Sequence, residues 1–172
     1  MDLTPLKASI FFLIFLTFPL FSTPLSKYPG TLSFHVKEYS LLQNDSLLLY
    51  GIQNRQPFGD ATSFFYVGEF GYGALMGNRS GYLEGGVCGG IRYPLLTSFY
   101  CDMGLFLGAG GGGGAIQGSG LFMNPTVSLV WPFSAGWSIQ ADTGYLAFFN
   151  SPVQSITLGL GIRMDYWSLY EP

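Results

Sequence analysis

Residues 154–166 read QSITLGLGIRMDY. Ile156, Leu158, Leu160, Ile162, Met164 and Tyr166 occupy one parity, and Ser155, Thr157, Arg163 and Asp165 occupy the other together with two glycines. Side chains of an extended chain alternate between faces, so this stretch is a strand with one greasy face and one small or polar face. A helix would need apolar residues three and four apart, and glycine is a poor helix former.

The same rule holds outward along the chain. In 137–149, Trp137, Ile139, Tyr145 and Phe149 alternate with Ser138, Gln140 and Asp142. In 121–133, Leu121, Met123, Val127, Leu129, Trp131 and Phe133 alternate with Asn124, Thr126 and Ser128. In 99–109, Cys101, Met103, Leu105 and Leu107 alternate with Asp102 and Gly104, and in 82–93, Leu83, Val87, Ile91 and Tyr93 alternate with Glu84, Gly86, Cys88 and Arg92. In 64–76, Phe64, Tyr66, Phe70, Tyr72, Ala74 and Met76 share a parity, with Glu69, Gly71 and Gly73 opposite. Two weaker strands precede these, at 31–39 and 46–53.

Turn residues separate the segments: Asn44-Asp45, Pro57 to Asp60, Gly77-Asn78, Pro94, Ser134 to Gly136 and Asn150 to Pro152. Eight strands with short links predict an up-and-down antiparallel meander. Several strands exceed the roughly 5–6 residues usual in globular proteins and reach the ~9–11 residues that a tilted strand needs to cross a bilayer.

Composition agrees with that length. Charged residues make up 10% of the 172 residues and aromatics 17%, whereas a typical soluble domain carries roughly 25% charged residues. Such a chain is neither intrinsically disordered nor, with seven Lys plus Arg against ten Asp plus Glu, an electrostatic nucleic-acid binder.

Residues 1–26 place Lys7 ahead of an apolar run from Ala8 to Phe21, followed by small residues. That is the order of a secretory signal peptide, and it leaves one domain over 27–172. The run is short for a spanning helix, which needs roughly 20 residues, and no later stretch is long enough to be one.

The barrel's orientation follows from the polar parity. Glu69, Glu84, Arg92, Asp102, Asp142 and Arg163 are too few and too glycine-interleaved to clothe an exterior in water. Inside a narrow barrel they can pair, with glycine leaving room for longer side chains. The Leu, Ile, Met and Val parity then meets lipid. The aromatics near strand ends (Tyr93, Phe99, Trp131, Phe133, Trp137, Phe149, Tyr166 and Trp167) form interfacial girdles. A soluble exported barrel binding an apolar ligand is the alternative arrangement.

With its leader, eight alternating strands and aromatic girdles, the chain resembles the small outer-membrane β-barrels of Gram-negative bacteria, the group of OmpX-like and OmpA-transmembrane-like proteins, over about residues 30–168. The glycine-rich stretch at 104–131 is similar to hairpins in this superfamily. The resemblance implies an outer-membrane location, lipid as the surrounding partner, and insertion by the barrel-assembly machinery with periplasmic chaperones. It also implies both termini on the periplasmic side, so that the links near 40–45, 77–79, 108–113 and 150–152 face outward. One departure is the C-terminus: the family usually ends on an aromatic, while this chain ends Trp167-Ser-Leu-Tyr-Glu-Pro172.

Three motifs invite sharper chemistry. Gly108–Gly113 formally fits G-x-G-x-x-G, but no helix start follows it, so a phosphate cradle is not expected. His35, the single histidine, shares the inner parity with Ser33, Lys37 and Tyr39. Eight-stranded barrels that act on lipid A, as acyltransferases or deacylases, use His with Ser. Here that arrangement is absent, and no cofactor, metal or catalytic role is expected, with a lipid-modifying enzyme as the competing class. Cys88 and Cys101 flank the Pro94 turn: a two-residue turn there sets them opposite for a disulfide, whereas face parity turns one inward and the other to lipid. In the lumenal set the acids outnumber the arginines, which predicts an under-paired carboxylate.

Overall fold

The structure is a computed structural model, and it describes residues 26–41, 45–59, 64–75, 80–96, 98–112, 120–149, 151 and 153–170. The expected leader up to residue 25 lies outside the described residues. So do the links 42–44, 60–63, 76–79 and 113–119, as well as Glu171 and Pro172.

Eight strands follow in order: β1 (Ser26–Leu41), β2 (Asp45–Pro57), β3 (Phe65–Gly73), β4 (Tyr82–Leu96), β5 (Phe99–Gly112), β6 (Gly120–Ser134), β7 (Trp137–Phe148) and β8 (Gln154–Tyr170). Each pairs with its sequence neighbour and the sheet closes into a barrel. All the pairings from β1 through β8 are antiparallel. At the closing seam Ser155 Oγ on β8 donates to the Ser40 carbonyl on β1 at 3.0 Å. Closure leaves no open sheet edge, which hydrocarbon would not tolerate. The two-residue link Ala135-Gly136 between β6 and β7 uses a glycine at φ 75°.

The outer face is apolar around the barrel. Phe34, Ile52, Val67, Val87, Leu105, Val127, Ile139 and Leu160, one from each strand in turn, are all exposed. Tyr93, Trp131, Phe133, Trp137 and Trp167 are exposed near one end, with Phe99 stacked on Trp131 at 6.3 Å. This end, where β1 starts and β8 finishes, is called the lower end below.

The lumen is filled in two layers. Toward the upper end lies an apolar plug of Leu47, Leu49, Phe70, Tyr72, Ala74, Phe106, Phe122, Leu146 and Phe148, with the Tyr39 and Tyr82 rings. Its rings meet edge-on or tilted, Phe70–Phe106 at 5.0 Å and Phe122–Phe148 at 5.6 Å, as aromatic quadrupoles prefer. The lower layer is polar. Glycine makes room for both: a Cβ on Gly108 would press on Phe70 and Phe122, one on Gly110 on Tyr82, and one on Gly159 on Asp142.

β3 departs from the sequence expectation. Tyr66, Phe70, Tyr72 and Ala74 face the lumen, while Phe65, Val67 and Glu69 face out. Register decides this: Glu69 pairs with Asn54 on β2 and Val87 on β4, neither of which faces the lumen. Space decides it too, because the Tyr66 hydroxyl lies over Gly90 and Gly104. Period alone tells that a strand has two faces; glycines on the neighbouring strands tell which face holds the rings. Phe64 precedes the strand and is exposed, and Met76 lies outside the described residues.

Candidate functional site in the barrel lumen

The lower layer is built around Asp102 on β5, which is fully buried. Arg92 on β4 is its register partner, and both take the inner parity. Arg92 Nε donates to Asp102 Oδ1 at 2.9 Å and its Nη2 to Oδ2 at 3.2 Å, a two-pronged contact. Arg55 Nη1 from β2 reaches Oδ2 at 3.0 Å, and Arg163 Nη2 from β8 reaches it at 2.9 Å. Arg55 Nη2 also donates to Gln53 Oε1 at 2.6 Å, and Arg163 Nη2 to Gln140. The Arg55 guanidinium lies 4.9 Å from the Tyr66 ring centroid. Four N–H contacts crowd onto one carboxylate, three of them on Oδ2 and one on Oδ1.

Toward the middle, His35 Nδ1 stands 3.4 Å from Asp142 Oδ1. Gln140 Nε2 donates to Ser128 Oγ at 3.2 Å and to Asp142 Oδ1 at 3.4 Å. Lys37 marks the boundary of the two layers, its ammonium 4.7 Å from the Tyr72 centroid and 4.8 Å from that of Phe106. Higher up, Glu84 accepts from the hydroxyls of Tyr39 and Tyr82.

Of the six residues expected to form one lumenal network, Arg92, Asp102 and Arg163 come together in the cluster. Asp142 and Glu84 also face inward but sit with His35 and with two tyrosines respectively. Glu69 is a correction: it is exposed on the outer face and accepts from Asn54 Nδ2 at 3.3 Å, because β3 is turned the other way. Arg55 was missed by ending the second strand at residue 53. Carrying the inner parity of Leu47, Leu49 and Gln53 two residues further reaches it. Among the described residues the lumen therefore holds Lys37, Arg55, Arg92 and Arg163 against Glu84, Asp102 and Asp142. The surplus is cationic, and the expected excess of acids is reversed.

The disulfide expectation is also corrected. Cys88 and Cys101 are both free. The β4–β5 turn falls at 97–98 rather than 94–95, with an irregularity between Pro94 and Leu96. Cys88 consequently pairs with Phe106 and points into the barrel, while Cys101 pairs with Tyr93 on the outer parity. Gly108–Gly112 of the glycine run is simply β5. No group of three metal-ligating side chains occurs among the described residues.

The arrangement orients, pairs and fills. It presents one acid–histidine contact, His35–Asp142, whose two members are buried.

No family model matches the sequence, and neither does any curated protein. Solved structures do match. The N-terminal β-barrel domain of Pseudomonas aeruginosa OprF is similar over 82% of this chain and 100% of its own, at 11% identity and a TM-score of 0.64. This chain has the fold of the small eight-stranded outer-membrane barrels. Neisserial surface protein A matches at 12% identity and TM-score 0.54 over 83% of this chain and 99% of its own. Yersinia pestis Ail in a phospholipid nanodisc gives 12% and 0.54 over 81% and 99%. Identities this low speak for the fold alone.

Proposed function

We propose that the protein is an integral outer-membrane β-barrel of a Gram-negative bacterium, exported by its leader and inserted by the barrel-assembly machinery with periplasmic chaperones. Its role is structural or accessory and non-catalytic. The observation that carries this reading is the apolar exterior, with exposed Leu, Ile, Val, Met or Phe on every strand. Water would penalise that surface and lipid would not. Among the charged side chains the structure describes, all lie in the lumen except the exposed Glu38, Glu69 and Asp165.

The enzyme reading has one observation on its side, the His35–Asp142 contact. It lacks a serine, cysteine or threonine hydrogen-bonded to His35 among the described residues, and the apolar plug lies between that contact and the upper end.

Electrophoretic migration in detergent tests the proposal. A lipid-embedded barrel refolded in detergent runs as a compact species unheated and as a slower one after boiling. Stable, monodisperse protein in plain buffer with no heat-dependent shift would overturn it in favour of a soluble barrel. A loss of lipid A acylation or deacylation in a His35→Ala strain would overturn the non-catalytic part.

A further inference from the structure

A cavity of about 460 Å³ opens at the lower mouth of the barrel, lined by Arg55 and Arg92 with Thr31, Tyr66 and Gly136 among its other walls. Beneath it three guanidiniums share the single carboxylate of Asp102. Acceptors run out before donors do. Arg55 Nε, Arg163 Nε and Arg163 Nη1 are buried with no hydrogen-bond partner, although Arg55 is only 2% exposed and Arg163 1%. A buried donor left unpaired costs about 1–3 kcal/mol, more when charged. An interior built only to be filled would not spend three arginines on one acid.

We infer that this mouth is a binding site for an oxyanion of the phosphate class. The anion sits in the cavity against Arg55 and the partly exposed Arg92, whose side chain is 33% accessible, and Arg163 adds charge from below without lining the cavity. Guanidinium forks match tetrahedral oxyanions geometrically. The opposing charges are Asp102, already shared among three arginines, and Asp165, an exposed carboxylate on the rim. Among the described residues at the mouth, three cations against two acids leave a net positive basin. The exposed Trp167 ring and the Tyr166 ring also line the cavity, so the same phosphate chemistry can arrive free in water or on a lipid headgroup. The inference needs the folded barrel but not its physiological setting, so it fails separately from the proposal above: heat-dependent migration reads one, anion titration the other.

The test uses the full chain refolded in a phosphate-free sugar detergent, titrated with inorganic phosphate and followed by backbone amide NMR. Saturable shifts at Thr31, Tyr66 and Gly136, with a Kd of about 1 mM or tighter, are expected. Arg92→Gln should weaken binding about tenfold, the worth of one charged hydrogen bond, while Glu38→Gln on the outer face changes nothing. A second arm uses nanodiscs doped with phosphatidic acid: shifts only there assign the headgroup source, and shifts with inorganic phosphate assign the free anion. No saturable shift in either arm, shifts centred on the upper end, or unchanged affinity in Arg92→Gln would each overturn the inference. So would binding that appears only after Asp165→Asn, since the rim carboxylate of the chain would then be the occupant. Because Arg92 is partly exposed, its variant is expected to fold, and the wild-type shift map stands even if it does not.

Discussion

The two layers of the lumen solve one packing problem with opposite chemistry. In the upper layer, Phe70, Phe106, Phe122 and Phe148 fill the bore with rings whose partners are interchangeable in kind. In the lower layer, Asp102 holds three arginines through four directed contacts. Shape governs the first layer; charge balance governs the second. The lesson is one of sensitivity: a ring cluster loses stability roughly in proportion to the volume removed, whereas an ionic cluster fails at once when its single counter-charge goes.

That contrast sets the order of expected effects. Asp102→Asn, nearly isosteric, leaves two buried guanidiniums and the partly exposed Arg92 without a carboxylate and should cost about 3–5 kcal/mol, read by reversible urea unfolding in lipid vesicles. A loss below about 1 kcal/mol would mean the arginines find compensation elsewhere and the lower layer is softer than described. Phe122→Ala, at a position 1% exposed, should cost about 3 kcal/mol through cavity formation. Phe122 and Asp102 share no direct partner, so the double variant should be additive within about 0.5 kcal/mol. Strong coupling would erase the division into layers. Gly110→Ala drives a methyl into the Tyr82 hydroxyl and should cost about 1–3 kcal/mol as overpacking, measured by the same unfolding. Glu69→Gln is the smallest: outside both layers, it should leave unfolding unchanged or raise stability by no more than about 1 kcal/mol in vesicles.

Much of this architecture is legible in the sequence, for a physical reason. In β4 through β8, aliphatic residues alternate with small polar ones, so hydropathy and face coincide, and strand number, antiparallel order and the inward setting of Glu84, Arg92, Asp102, Asp142 and Arg163 all follow. β3 breaks the coincidence. Tyr66, Phe70 and Tyr72 carry large rings yet face the lumen, because the glycines opposite them leave voids that rings fill. Register with β2 and β4 settled that face, and register is a long-range property that no single segment carries. Arg55 was lost at a strand boundary, and the Cys88–Cys101 pairing was lost to a turn three residues later than Pro94 suggests.

The lumenal glycines have a consequence for how this chain can vary. A one-base missense change in a glycine codon always gives a bulkier residue, and at Gly104, Gly108, Gly110 and Gly159 those atoms enter space already held by Tyr66, by Phe70 and Phe122, by Tyr82 and by Asp142. Outside, in the membrane setting proposed above, Leu, Ile, Val and Met would border a fluid that reshapes around whichever of them is present. The usual map of tolerance is therefore turned inside out. Here the smallest residues should be the least replaceable, and the large greasy ones should drift freely among themselves.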